Sequence, residues 1–182
     1  QSECCCEKDD FLFEDEMSAE TTPRRGYGWT FNERLVVVAP QRGRERLNLF
    51  GAVSPYTGET IQFATGCAKT QSFVKFLHKI HSKHPRIRVW VYVDGCAIHK
   101  SNKVKKFLAQ HPNIKLKLLP PYSPELNPRE YWHNHLRKNL LNNKTFASAT
   151  ALAHSIHSFT KKTSKTEIKR VCTLNPIYNL LT

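Results

Sequence analysis

The strongest strand signal in this chain is a run of five β-branched and aromatic residues, VWVYV at positions 89–93. Asp94 follows it directly and is the only aspartate after position 20. A short apolar run of this kind is typical of a buried strand. In sheets built from such strands and crossover helices, functional sites gather at the strand ends. The run therefore predicts an α/β sheet with Asp94 at a functional position.

The rest of the chain alternates between strand patterns and helix patterns. A Pro-Tyr-Thr-Gly turn at 55–58 indicates a hairpin. Apolar residues at i, i+3, i+4 and i+7, counted from Phe73, predict an amphipathic helix. We expect an α/β fold, with a mixed five-stranded sheet flanked by helices. The predicted strands are 11–16, 47–54, 59–64, 88–93 and 114–118, the predicted helices are 70–84 and 100–110, and 35–39 is an optional extended segment.

The last core helix should begin at Asn127, a good cap, with Pro128 in the first helical position and Glu130 in the third. Helical spacing at 147–159 and a basic stretch at 161–170 predict further helices or an outer arm. The expected organisation is an irregular, acidic and cysteine-rich start at 1–10, one domain at 11–145, and a basic helical extension at 146–182 packed on that domain.

The charge of the chain is strongly one-sided. The formal net charge is +13. Positions 1–20 contain 8 of the 15 acidic residues but only one of the 28 Lys and Arg residues, Lys8. An electrostatic field of one sign favours a polyanionic partner, and nucleic acid is the leading candidate. The alternative is that the basic residues form an ordinary solvated surface. No apolar run approaches the roughly 20 residues that span a bilayer. With no CxxC pair among its cysteines, we expect a soluble, cytoplasmic chain without membrane contact.

Three acidic residues stand at the ends of predicted elements. Asp15 and Asp94 close strands, and Glu130 lies in the first turn of the last core helix. Carboxylates that meet in a basic groove can hold Mg²⁺, and two such ions support displacement at phosphorus. Each residue also has an ordinary interpretation: Glu130 as a cap, Asp94 as a turn residue, Asp15 as a solvated strand end. Their coincidence at element ends favours a metal site.

Several segments resemble one protein family. They are VYVDGCAIHKS, LLPPYSPELNPRE and LNLFGAVSPYTGE, with FEDE upstream. Together they resemble the catalytic domain of DDE superfamily transposases, in the bacterial insertion-sequence branch related to mariner elements, over roughly residues 11–145. The resemblance implies a ribonuclease H-like fold, two Mg²⁺ or Mn²⁺ ions, and DNA strand cleavage followed by strand transfer.

The resemblance also implies roles for individual residues. By position, the metal ligands and catalytic acids correspond to Asp15, Asp94 and Glu130, which we call the acidic triad. The predicted nucleic-acid contacts are His99, Lys100, Lys103, Lys105, Lys106 and Arg137, whereas Pro121 and Tyr122 would shape the loop before Glu130. The partners would be transposon ends and target DNA at the bacterial nucleoid, and a homodimer stays open. We expect the family's amino-terminal helix-turn-helix region to be missing from this chain.

Three positions depart from the family pattern. Gly95 replaces the usual Asn, Arg129 replaces an apolar residue, and Trp132 lies two residues after Glu130 rather than three. The spacing of Trp132 indicates a one-residue deletion, which would rotate the last helix and leave Glu130 poorly aimed. One alternative function is therefore a catalytically impaired fragment that acts only as a non-specific DNA-binding module. Another is a hydrolase of RNA in RNA–DNA hybrids, which shares the fold and the metals.

Overall fold

The structure, a computed structural model, describes residues 9–22, 43–121 and 123–173. These residues form one mixed five-stranded sheet with a hydrophobic core and helices on each face. The predicted α/β class and the alternation of strands and helices are confirmed. The cysteines at positions 4 to 6, the segment at 35–39 and Tyr122 lie outside the described residues.

The five strands are β1 (Asp10–Glu20), β2 (Arg46–Val53), β3 (Thr60–Thr65), β4 (Val89–Val93) and β5 (Ile114–Leu118). Their order in the sheet is β3-β2-β1-β4-β5. β1, β2 and β3 pair antiparallel, whereas β4 is parallel to β1 and to β5. β1 is longer than the predicted strand at 11–16, because β2 pairs along it as far as Glu20.

Within the described ranges the α-helices are α1 (Thr70–Lys83), α2 (Asn102–Gln110), α3 (Pro128–Leu136), α4 (Ala149–Lys162) and α5 (Lys165–Cys172). A π-helical segment, Arg137–Leu141, continues α3. Asn127 caps α3 as predicted, since its side chain accepts a hydrogen bond from the Arg129 backbone N–H. The predicted basic arm at 161–170 is divided between α4 and α5, because Ser164 caps a new helix. None of these helices is long and apolar enough to cross a membrane.

β1 separates two hydrophobic cores, because alternate side chains of a strand point to opposite faces of a sheet. Leu12 packs in a core with α1 and α2. Met17 packs in a second core, on the other face, with α3, α4 and α5. By the same alternation Asp15 faces α3, whereas Glu14 and Glu16 face the side of α1 and α2. The two faces therefore divide the acidic residues of this strand.

Candidate functional site

Asp15 lies in β1, and Asp94 directly follows β4, the parallel strand that pairs with β1. In the β1–β4 pairing Phe13 is opposite Tyr92, so continuing the register by two residues aligns Asp15 with Asp94. The rings of Phe13 and Tyr92 stack with centroids 4.8 Å apart, so these two side chains point to the same face of the sheet, whereas Asp94, beyond the end of β4, contacts His99 on the side of α1 and α2. Paired strands are about 4.8 Å apart. The two aspartates therefore each follow the last β1–β4 pair by two residues.

Glu130 approaches Asp15 from the first turn of α3. Burial, and after it the charge of Asp15, raises the pKa of Glu130. One turn further along the helix, His133 Nδ1 lies 3.3 Å from Asp15 Oδ2. Burial, followed by the Arg129 charge, lowers the pKa of His133 to about 4, so the ring is neutral at pH 7. Glu130 thus remains within electrostatic reach of Asp15 in spite of the shortened spacing to Trp132.

Asp94 is held by His99 from the side of α1 and α2. His99 Nδ1 lies 2.9 Å from Asp94 Oδ1, and the same oxygen accepts a hydrogen bond from the Cys96 backbone N–H. The Asp94 side chain is 63% exposed, whereas that of His99 is only 3% exposed. The sequence predicts that His99 contacts nucleic acid, but its buried ring contacts Asp94 and the ring of Phe73. This placement favours a role in positioning Asp94.

Two acidic residues that sequence reasoning missed extend the cluster on that side. Glu14 is fully buried with Oε2 3.5 Å from His99 Nε2, and Glu16 Oε1 is 4.0 Å from the same nitrogen. Burial, followed by the neighbouring negative charges, raises the pKa of Glu14 well above its ordinary value. Burial, followed by the charges of Asp94 and Asp15, also raises the pKa of Glu16. The FEDE run carried the signal, since it sets one glutamate on each side of Asp15.

The donor atoms suit hard divalent cations, although the acidic triad is not compact. Among the described residues, the one group with three ligand atoms within 4.8 Å of one another is Asp10, Glu59 and His84. A two-ion site needs a wider spread, because its ions stand about 3.5 to 4 Å apart. The triad supplies carboxylate oxygens alone, which Mg²⁺ and Mn²⁺ prefer. Burial, followed by negative neighbours, raises the pKa of Glu130 and of Glu14, and a bound cation would offset the repulsion between the carboxylates.

The predicted basic contacts lie mainly on and beside α2. Exposed side chains there belong to Lys100, Lys103, Lys105 and Lys106. Arg137 opens the π-helical segment after α3, is partly buried, and donates a hydrogen bond to Asn134 Oδ1. Exposed lysines suit phosphate contacts, which position a nucleic acid without reading its sequence. Their role in binding DNA stays a prediction.

Arg129 is a second feature whose placement sequence reasoning missed. Its side chain is fully buried, and its three guanidinium nitrogens make no hydrogen bond within the described part of the chain. A Cβ built on Gly51 of β2 would overlap the guanidinium, and Gly51 pairs with Asp15 in the β1–β2 ladder. Burial lowers the pKa of Arg129 to about 10, so it carries a charge at pH 7. A cation therefore lies beneath the acidic cluster.

A family model described as DDE superfamily endonuclease matches residues 10–153. The chain belongs to this family. It is 24% identical over 163 residues to the insertion element IS630 uncharacterized 39 kDa protein of Shigella sonnei, over 89% of this chain and 47% of the relative. It is also 32% identical over 99 residues to the uncharacterized protein y4pE/y4sA of Sinorhizobium fredii (strain NBRC 101917 / NGR234), over 54% of this chain and 70% of that relative.

Among solved structures, this DDE superfamily member resembles Mos1 transposase. The paired-end complex of Mos1 with the left transposon end gives a TM-score of 0.67 at 16% identity, over 90% of this chain and 51% of the Mos1 chain. At this identity the likeness shows the fold, and the predicted ribonuclease H-like sheet is confirmed. Mos1 complexes solved with Mn or Mg give TM-scores of 0.67 and 0.65. The chain spans about half the length of the Shigella relative and of Mos1.

Glu14→Gln is expected to stabilise the ion-free protein at high pH. Glutamate in the unfolded chain has an ordinary pKa of 4.5, whereas burial raises the pKa of Glu14 in the folded chain. The wild type therefore loses stability as the pH rises from 4.5 through the folded pKa. Gln carries no charge, so the variant should gain more in free energy of unfolding, relative to wild type, at pH 8 than at pH 5.

Urea unfolding in the presence of EDTA at both pH values measures this difference. Glu125→Gln, at an exposed glutamate, is the matched control and should follow the wild type. Identical pH dependence in the wild type and in Glu14→Gln would contradict the prediction, because it would mean that Glu14 ionises at its ordinary pKa.

Proposed function

We propose that this chain is the catalytic domain of a transposase, which cuts DNA at the ends of a mobile element and transfers the cut strand to target DNA. The observation that supports the proposal is the parallel pairing of β1 with β4, whose last pair, Phe13 and Tyr92, precedes Asp15 and Asp94 by two residues each, together with the charge of Asp15, which reaches Glu130 of α3. Membership of the DDE superfamily endonucleases and the likeness in fold to Mos1 transposase support it.

Each residue of the acidic triad has a distinct role in this function. The charge of Asp15 reaches Glu130, and Asp15 and Asp94 both act on Glu14 and Glu16, so Asp15 would contact both ions. Asp94 would hold one ion and Glu130 the other. Bound Mg²⁺ or Mn²⁺ supplies charge stabilisation at the attacking and leaving oxygens of a phosphodiester. Mos1 structures with Mg and with Mn support this choice of metals.

Two histidines would keep the aspartates in place. His99 holds Asp94 Oδ1 at 2.9 Å and is itself fixed by burial against Phe73. His133 lies 3.3 Å from Asp15 Oδ2 and is neutral at pH 7, so its Nδ1–H can donate to the carboxylate without adding charge. Oriented carboxylates lose less freedom when ions bind, which raises metal affinity.

DNA is the proposed partner, as transposon ends and as target. The exposed lysines of α2 follow closely on Asp94 in the chain and would contact phosphates beside the cutting site. A homodimer would allow one assembly to hold two element ends. The proposed setting is the bacterial cytoplasm, where the chromosome offers both substrates.

A second candidate function is a DNA-binding module without catalysis. Two observations favour it: the acidic triad is not compact, and Asp94 Oδ1 is already engaged by His99 and the Cys96 N–H. Such a module would keep the basic surface and bind DNA without metal. The two functions therefore differ in their dependence on divalent ions.

A metal titration with parallel cleavage assays separates these functions. Mn²⁺ binding to the full chain would be followed by electron paramagnetic resonance, and nicking of supercoiled DNA by gel. The transposase domain should bind Mn²⁺ and nick DNA with Mg²⁺ or Mn²⁺, and Glu130→Gln should lose both. Glu125→Gln, a matched exposed glutamate, should keep both.

The other outcomes decide against the proposal. DNA binding without Mn²⁺ binding or nicking would identify the non-catalytic module. Cleavage restricted to an RNA–DNA hybrid would identify the RNA hydrolase.

A further inference from the structure

A second cluster of potential metal ligands lies at the first residue of β1, away from the acidic triad. Asp10, Glu59 and His84 each place a ligand atom within 4.8 Å of the others. Asp10 precedes Asp15 by five residues on one strand, which separates the two sites by about 17 Å at about 3.3 Å per residue. An ion in this cluster would therefore be distinct from those of the proposed cutting site.

The cluster is built mainly from buried groups. Asp10 and His84 are each only 8% exposed, and Ser54 Oγ and the Phe11 backbone N–H donate to Asp10 Oδ1. His84 Nε2 is buried and has no hydrogen bond of acceptable geometry, although it lies 3.2 Å from Glu59 Oε2. A buried polar atom without a hydrogen bond is costly. The Nε2 atom therefore faces Glu59 Oε2 at 3.2 Å without a well-aligned hydrogen bond.

The distances and donor types suit a transition-metal ion. The separation of 3.2 Å between His84 Nε2 and Glu59 Oε2 is close to the edge of a tetrahedron with bonds of about 2.0 to 2.1 Å, as in zinc sites. One imidazole with two carboxylates is a mixed nitrogen and oxygen set, which selects Zn²⁺ and its neighbours over Mg²⁺. Lys83 Nζ lies 3.0 Å from the other oxygen, Glu59 Oε1, so Glu59 can reach the ion with Oε2 alone.

The three ligands come from three separate elements. Asp10 begins β1, Glu59 precedes β3 at the hairpin turn, and His84 caps the carboxyl end of α1. Backbone hydrogen bonds fix the positions of Glu59 and His84, since the Ser54 N–H donates to Glu59 O and the His84 N–H donates to Ile80 O. An ion held here would join the first strand, the hairpin and the first helix at one point.

We infer that Asp10, Glu59 and His84 form a structural binding site for a divalent transition ion of the zinc class, separate from the acidic triad. The ion takes His84 Nε2 and one oxygen from each carboxylate, and solvent completes its coordination. Binding links three elements that are far apart in the sequence, and so it stabilises the folded chain.

The experiment uses the full chain carrying Asp94→Asn and Glu130→Gln, so that the proposed cutting site cannot contribute. Zn²⁺ binding would be measured by calorimetry, with a thermal melt at about 100-fold excess of Zn²⁺ over its Kd. We expect one Zn²⁺ per chain and a Tm increase of roughly 5 to 10 °C. His84→Ala should weaken binding by about 100-fold or more, since it removes a direct ligand. His154→Ala, an exposed histidine on α4, should leave binding unchanged.

Glu59→Gln is the second variant, for the case in which His84→Ala fails to fold. Co²⁺ in place of Zn²⁺ reports the ligand type, because a thiolate from Cys67 or Cys96 would add an intense charge-transfer band. Zn²⁺ affinity that survives both substitutions, a thiolate band, or equal affinity for Mg²⁺ would overturn the inference. Loss of Zn²⁺ binding in both variants, with no thiolate band, would support it.

Discussion

Asp94→Asn is expected to lower Mg²⁺-dependent DNA cleavage by about a thousandfold or more. Charge stabilisation by a catalytic divalent ion contributes several kcal/mol to a phosphoryl displacement, and each 1.36 kcal/mol is a factor of ten in rate. Asn keeps the size of the side chain and one oxygen. It removes the negative charge that would hold the ion.

The structure makes this substitution a clean one. The Asp94 side chain is 63% exposed and its Oδ1 accepts the Cys96 N–H, a bond that the amide oxygen of Asn can also accept. Folding should therefore be little affected. Exposed lysines on α2 remain in place, so affinity for DNA without metal should stay within about twofold of wild type, as for surface substitutions that change stability or binding little.

Asp9→Asn is the matched control. Asp9 accepts a hydrogen bond from Trp90 Nε1 and lies next to the far end of β1, so the same chemical change there should leave cleavage unaltered. Nicking of supercoiled DNA and fluorescence anisotropy with labelled duplex would be measured in parallel. Cleavage by Asp94→Asn at the wild-type rate would exclude Asp94 as a ligand of a catalytic ion.

Sequence periodicity predicted most of the fold because the local patterns agree with the tertiary structure. The β5 strand has the predicted bounds, and α1 ends within one residue of its predicted end. α2 begins two residues later than predicted, with Ser101 as its N-cap residue. The length of β1 was underestimated, because its second half is set by pairing with β2 rather than by its own composition.

The surroundings of the candidate residues were hard to predict. Predicted element ends identified Asp15, Asp94 and Glu130 as candidates, but Asp15 lies in the middle of β1 (Asp10–Glu20) rather than at its end. The burial of His99 depends on packing against Phe73 of a distant helix, which no local pattern encodes. Arg129 follows a helix cap and has the local signature of an exposed residue, yet α3 packs directly on β1 and encloses it.

Arg129→Leu is expected to increase the free energy of unfolding by about 1 to 4 kcal/mol. Replacing a buried ion pair by apolar groups of similar size is often stabilising by this amount, whereas removing one partner of a bonded pair is costly; Arg129 makes no hydrogen bond to a carboxylate in the described part of the chain, so the gain from not burying its charge should dominate. Arg129 is fully buried, its guanidinium nitrogens lack hydrogen bonds in the described part of the chain, and its lowered pKa of about 10 reflects that burial. Arg129 is therefore charged at neutral pH, and the cost of burying that charge applies there.

The gain should be larger at pH 5 than at pH 8. Arg129 lowers the pKa of Glu14, which burial and neighbouring acids raise. At pH 8 Glu14 is ionised in a larger fraction of the molecules. In the variant, these ionised carboxylates lose the favourable interaction with the Arg129 charge. At pH 5 the carboxyl is more often protonated, so removing Arg129 costs less. Urea unfolding at the two pH values, with EDTA present, measures both effects.

Gly51→Ala tests whether the guanidinium really occupies the space over β2. In the wild type an added Cβ would overlap Arg129, and overpacking of this kind costs about 1 to 3 kcal/mol. In an Arg129→Leu background the shorter side chain leaves that space open, so the same substitution should cost well under half as much. This difference is a coupling energy between two residues in contact. Additive effects would mean that Arg129 turns towards solvent and that the cation beneath the acidic cluster is absent in solution.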